Sequence, residues 1–260
     1  MNELQALLLG IIQGLTEFLP VSSSGHLEIG HHLLGIKNEN NLLFAVVVHT
    51  ATVLSTIVVF RKGIKELFAG LFLFQWNEST KYIARLLLSS VPVIFLGLIY
   101  KEDIEALFNG KLTLVGSMLI ITAFLLTLSY YANKGEKKIS FMHAFIIGIA
   151  QALAVLPGIS RSGATIATGL ILGNDKKGVA KFSFLMVLIP ILGAMAFDIM
   201  NGELSSSAKV DIVPMAIGFV AAFVSGLLAC SWMINIVKKG KLIYFAIYCF
   251  IIGLIAIFAA

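Results

Sequence analysis

Long apolar stretches separated by short polar segments run the length of the chain. Six of them, Leu42–Phe60, Tyr82–Tyr100, Leu112–Tyr131, Val179–Met200, Ile212–Ile234 and Leu242–Ala259, approach the roughly 20 residues that a helix needs to cross a bilayer. Two further regions, Glu3–Gly35 and Ser140–Gly173, are too short for two crossings each and are interrupted midway by Pro and a Ser/Gly cluster. They read as re-entrant helix pairs, because turn-forming polar backbone is tolerated at membrane depth only where it lines a protein cavity.

The two interruptions are copies of one signature. Gly10-Ile11-Ile12-Gln13, Leu19-Pro20 and Ser22-Ser23-Ser24-Gly25 recur as Gly148-Ile149-Ala150-Gln151, Leu156-Pro157 and Ser160-Arg161-Ser162-Gly163. Each half, residues 1–132 and 139–260 with a linker near Asn133–Lys138, is then one broken pair followed by three spans. An odd number of crossings per half inserts the second half upside down relative to the first. The predicted fold is a single all-α polytopic membrane domain, six transmembrane helices plus two re-entrant helix pairs in an inverted-topology repeat.

Composition agrees. With 58% hydrophobic and only 13% charged residues in 260, the chain has too little polar surface for a soluble domain of its size. The net charge of +5 does not point to nucleic acid, since the basic residues sit in short runs between apolar segments. Arg61–Arg85, Lys134–Lys138, Lys176–Lys181 and Lys238–Lys241 hold most of the 19 Lys and Arg residues, which predicts that these segments are cytoplasmic. The acidic segments Lys101–Lys111 and Asp198–Asp211 should face outward, as should both termini. No Lys or Arg precedes Lys37, so the apolar N-terminal stretch lacks the charged flank of a signal peptide and is expected to stay in the fold. Cys230 and Cys249 stand in apolar segments without metal-ligand spacing.

On this topology the two breaks enter from opposite sides and their tips converge. Each Ser cluster then caps the helix that follows it, so that two helix N-termini point into one pocket and favour an anion, phosphate above all. Gln13 and Glu17 share a helix face at i, i+4. Ser22, Ser23, Ser24, Gly25 and His26 follow Pro20, and the second break supplies Ser160, Arg161, Ser162, Gly163 and Thr165. Ionisable residues in apolar segments are costly, and Glu17, His26 and Arg161 all belong to the breaks.

A carboxylate, an imidazole, a guanidinium and several hydroxyls suit phosphoryl transfer. Arg161 can clamp phosphate oxygens. Glu17, with Gln13, can hold a hard divalent cation, Mg²⁺ or Ca²⁺, or act as a base. Ser23, three residues from His26, can be a nucleophile activated by that imidazole, while His26 can instead attack phosphorus itself or protonate the leaving group. Against this, membrane-helix hydroxyls usually bond to backbone or neighbouring helices, Arg161 can be a structural cap, and Gln13 and Gln151 can merely tie the repeats together. His49 is expected to be a packing donor within the first span, Arg85 and Lys181 to snorkel, and Pro92 and Pro190 to kink their spans.

These residues resemble the motifs of the bacitracin-resistance family of undecaprenyl-diphosphate phosphatases. The stretch from Gln13 to His26 is similar to the family's first motif, an (E/Q)xxxE element followed by LPVSSxGH, and Pro157 to Thr165 is similar to its second, PGxSRSGxT. Carried over by position, the family's carboxylate falls on Glu17, its serine on Ser23, its histidine on His26 and its arginine region on Ser160, Arg161 and Thr165. The first acidic position is Gln13 here, and a neutral amide is a weaker metal ligand than a carboxylate. The resemblance implies hydrolysis of a long-chain isoprenyl diphosphate to the monophosphate, with a divalent cation, at the outer side of the bacterial cytoplasmic membrane. It implies recycling of the lipid carrier of cell-wall polymers and loss of bacitracin's target. The reading favours Ser23 as nucleophile with His26 as its base, and leaves a homodimer open.

Two other functions compete. Paired broken helices in an inverted repeat also suit a transporter or flippase for a phosphorylated isoprenoid lipid. Type-2 phosphatidic-acid phosphatases share a superficial Ser24-Gly25-His26 and Ser160-Arg161, but their further His would fall on Ala167.

Overall fold

A computed structural model of the chain describes residues 1–36, 41–107, 111–132, 135–200 and 211–260. Lys37, Asn133, Lys134, Glu203 and Lys209, on which parts of the charge and linker arguments rest, lie outside the described residues. Among the described residues the chain is all helix, without a β-strand.

The first break separates α1 (Glu3–Phe18) from α2 (Ser23–Leu33), and the second separates α7 (Phe141–Leu153) from α8 (Arg161–Ile171). Between and after them run α3 (Asn41–Leu71), α4 (Glu78–Ile99), the short α5 (Lys101–Glu105), α6 (Leu112–Tyr131), α9 (Lys176–Met186), α10 (Leu188–Met200), α11 (Ile212–Lys239) and α12 (Ile243–Phe258).

Among the described residues five stretches are long and apolar enough to cross a membrane: Leu43–Leu71, Glu78–Ile99, Leu112–Tyr131, Lys176–Phe197 and Ile212–Lys239. The chain is therefore a multi-pass membrane protein. The stretch expected as a sixth span is helix α12, apolar throughout but 16 residues long, or about 24 Å against a hydrocarbon core of about 30 Å. The expected span Val179–Met200 is two helices meeting at Val187. Pro190 has no N–H to offer the Met186 carbonyl, so the hydrogen-bond ladder breaks there. Pro92 stays inside α4 without ending it.

Glycine sets the closest helix crossings. A Cβ on Gly10 would stand 2.5 Å from the Gly218 carbonyl oxygen, and one on Gly116 would stand 2.5 Å from that of Gly253. These positions let α1 lie against α11, and α6 against α12, with backbones in contact, as small residues do in lipid where no hydrophobic force drives helices together. Gly148 approaches Ser89 of α4 in the same manner. Each first arm of a broken pair thus packs on a long helix from the other half of the chain. Around the breaks a shared core gathers Phe18, Val21, Val115, Leu119, Ile166, Phe182, Phe184 and Cys249.

Candidate active site at the two breaks

Both breaks are built by local capping. Ser22 precedes α2 and its hydroxyl accepts from Gly25 N–H at 3.2 Å; Ser160 precedes α8 and accepts from Gly163 N–H at 3.0 Å. The two expected caps are in place. Ser22 holds φ at 69°, a left-handed conformation that a non-glycine residue adopts only when its surroundings impose it. That turn aims the Ser22 carbonyl back at His26, which bonds to it through its backbone N–H at 3.1 Å and through Nδ1 at 2.8 Å. With Gly25 and His26 N–H engaged, those of Ser23 and Ser24 stand at the helix start with no acceptor within the helix.

The tips meet. Ser162 Oγ donates to the Leu19 carbonyl at 3.1 Å, and a Cβ on Gly25 would come 3.2 Å from Gly158 Cα. Gly158 itself has φ of +102° and lies against the Val115 carbonyl, so only glycine fits there. From α6, Thr122 accepts from Ser160 N–H at 2.9 Å and donates to the Gly158 carbonyl at 3.2 Å, holding the second break in place.

Glu17 is the hub of the converged tips. It is 7% exposed, and Arg161 Nη2 donates to its Oε1 across the two breaks. Its Oε2 accepts from Gln13 Nε2 at 2.9 Å and from Ser23 Oγ at 2.6 Å. The shared face of Gln13 and Glu17 is as the spacing predicts. The expected hydrogen bond from Ser23 to His26 does not form, because the Ser23 hydroxyl is drawn to the carboxylate, while both ring nitrogens of His26 are engaged elsewhere, Nδ1 with Ser22 and Nε2 with Tyr248 Oη at 2.8 Å.

Burial divides the remaining candidates. Thr165 is fully buried, donates to the Arg161 carbonyl at 2.9 Å and shares a 2.6 Å bond with Ser183 Oγ. With Ser22, Ser160 and Ser162, all buried, it holds the breaks together. Gly25 and Gly163 are buried at the caps, where close approach is their role. Ser23, Ser24, His26 and Arg161 are the half-buried members.

Two residues of the site escaped the sequence reading. His49 of α3, expected as a packing donor, sets Nε2 3.6 Å from Glu17 Oε2, while its Nδ1 donates to the Ala45 carbonyl at 2.8 Å. Tyr248 comes from α12. Neither stands in a local pattern that announces it. Gln151, the counterpart of Gln13, is buried with neither amide atom bonded among the described residues, so it does not bridge to Gln13.

The residues fit a hard cation in one respect. Gln13 Oε1 is buried and has no partner among the described residues, and it belongs to the same side chain that touches the Glu17 carboxylate. Arg161 Nη1 is likewise buried without a protein partner. An amide oxygen beside one carboxylate leaves most of a cation's coordination to phosphate oxygens and water, the arrangement Mg²⁺ commonly adopts with phosphate ligands.

In a polytopic helical membrane protein, a partly buried Arg–carboxylate–hydroxyl cluster at two capped helix starts suits an anionic head group. The chain is a member of the family of bacitracin resistance protein BacA, whose pattern matches residues 6–255. It is 56% identical over 262 residues to the undecaprenyl-diphosphatase of Christiangramia forsetii, covering 100% of this chain and 99% of that protein. It is 57% identical over 260 residues to that of Parabacteroides distasonis, covering 99% and 98%. Identity is 41% over 258 residues with the protein of the same name from Carboxydothermus hydrogenoformans, at 97% and 95% coverage.

Proposed function

We propose that this protein hydrolyses undecaprenyl diphosphate to undecaprenyl phosphate and inorganic phosphate. It recycles the lipid carrier of cell-wall polymers and removes the target of bacitracin. The observation that carries the reading is the Arg161–Glu17–Ser23 chain of contacts at the meeting point of two capped helix starts. Its relatives' shared name, over nearly the full length of the chain, supports the substrate.

Arg161, through the Nη1 that lacks a partner among the described residues, and the N–H groups of Ser23 and Ser24 bind the terminal phosphate. Ser23 Oγ attacks the terminal phosphorus, the bond from phosphorus to the bridging oxygen breaks, and the lipid monophosphate leaves with the electron pair. The Ser23 proton passes to Glu17 Oε2, to which that hydroxyl already donates. Water then attacks the phosphoserine, the phosphorus–Oγ bond breaks, the water proton passes to His26, and Glu17 returns its proton to Ser23 Oγ. A divalent cation held by Glu17 and Gln13 Oε1 would offset phosphate charge.

The protein lies in the bacterial cytoplasmic membrane with α12 as its sixth crossing and the two broken pairs as re-entrant elements. Residues 1–132 and 139–260 form the two inverted halves, with the site open to the outer side. The reciprocal packing of α1 on α11 and α7 on α4 supports that two-fold arrangement. The test is phosphate release from a long-chain isoprenyl diphosphate by the purified protein in detergent, with divalent cation or with EDTA. Cation-dependent release supports the proposal; tight lipid binding by folded protein without release would replace it with a lipid transporter.

A further inference from the structure

The last helix reaches the first break from outside both breaks. Tyr248 of α12 is 222 residues from His26 in sequence, yet its Oη is 2.8 Å from His26 Nε2. The two rings lie nearly parallel, with an interplanar angle of 11° and centroids 5.6 Å apart. The next residue, Cys249, is fully buried and donates Sγ–H to the Pro20 carbonyl at 3.5 Å. Two consecutive residues of α12 therefore contact the turn between α1 and α2 at Pro20 and the first turn of α2 at His26. Because α12 packs along α6, and α6 carries the Thr122 and Val115 contacts to the second break, one helix pair frames both halves of the site.

The hydrogen-bond directions fix the state of the imidazole. A carbonyl only accepts, so the 2.8 Å bond to Ser22 places a proton on Nδ1. In the neutral ring Nε2 is then the lone-pair nitrogen, and the Tyr248 hydroxyl donates to it. Once Nε2 gains a proton the same contact runs in the opposite direction, with Nε2–H donating to Oη. The ring is held in one place in both states.

We propose that Tyr248 is a positioning residue for His26: Ser22 sets the tautomer, while the Tyr248 hydroxyl holds the ring plane and, because it occupies the lone pair of Nε2, hands that nitrogen its own proton as it takes one from the reacting groups. The catalytic part of this inference rests on the hydrolysis proposed above, while the tautomer part does not. Tyr248→Phe keeps the stacked ring and removes only the hydroxyl. Its kcat for long-chain isoprenyl diphosphate should fall about tenfold, the worth of one net hydrogen bond, with KM within about twofold. In a His26→Ala background, Tyr248→Phe should produce no further loss, since the tyrosine acts through the imidazole. Nitrogen-15 spectra of histidine-labelled protein, with the His26 signal assigned by His26→Gln, should show the Nδ1–H tautomer in the parent and in Tyr248→Phe, with the Nε2 signal shifted in the variant by loss of its hydroxyl donor.

Wild-type kcat in Tyr248→Phe, or an equal loss in the His26→Ala background, would overturn the positioning role. A parent His26 carrying its proton on Nε2 would overturn the geometry itself. If the parent protein releases no phosphate, the hydrolysis proposal fails while the spectra still decide the His26–Tyr248 contact.

Discussion

Arg161→Ala tests whether Glu17 depends on its partner across the two breaks. The carboxylate is 7% exposed, so removing the guanidinium leaves a buried charge facing only the Gln13 amide, the Ser23 hydroxyl and the His49 imidazole. Breaking a buried ion pair from one side costs about 3–5 kcal/mol. The bonds from Gln13 and Ser23 remain, which places the expected loss near the lower bound, about 3 kcal/mol, or a melting shift of about 6–12 °C for a chain of this size. Glu17→Gln should cost less, because Arg161 is 17% exposed and can turn toward water. The double variant Glu17→Gln/Arg161→Ala holds no buried charge and should melt close to Glu17→Gln alone. Cys230 and Cys249 are both fully buried, so a thiol-reactive fluorophore in detergent reports the unfolding of each variant directly. If Glu17→Gln lowers the melting temperature by the same amount in the parent and in the Arg161→Ala background, the two side chains are not coupled and the bridge does not join the tips.

Other expectations follow from single positions. Gly158→Ala would force a side chain into φ of +102° and against the Val115 carbonyl, so it should lower the melting temperature by more than Gly97→Ala, where a Cβ meets open space. Thr165→Val strands Ser183 Oγ in full burial, at a cost of about 1–3 kcal/mol in melting experiments, and adding Ser183→Ala should recover much of it with KM unchanged throughout. His49→Ala removes the imidazole 3.6 Å from Glu17; for a contact of that length turnover should fall roughly fivefold, about 1 kcal/mol, and a drop beyond roughly a hundredfold would mean that His49 takes part in the chemistry itself.

The repeated signature makes the two breaks legible in the sequence, because capping is local: Ser22 and Ser160 precede helices, and their partners are three residues away. The two copies of the signature do meet, through the Arg161–Glu17 contact. What stays hidden depends on helix rotation. His49 and Tyr248 are isolated polar side chains in long apolar helices, and turning either helix by one residue, about 100°, would take them away from the site. The partner of Ser23 is hidden for a related reason. Spacing along α2 points to His26, but the shorter path runs across the turn to Glu17 on α1, at 2.6 Å. The interruption at Val187 is visible in the sequence only as Pro190, since a proline can also sit inside a helix without ending it, as Pro92 does in α4.

The most direct test of a single hydrolytic site made from both breaks is the turnover of Ser23→Ala, Arg161→Ala and their double variant on undecaprenyl diphosphate, normalised to folded protein. One residue comes from each break. If they serve one step in one pocket, each single variant loses at least about a hundredfold in kcat and the double is no slower than the slower single. Losses that multiply in the double variant, or a Ser23→Ala protein that keeps most of its turnover, would contradict the account.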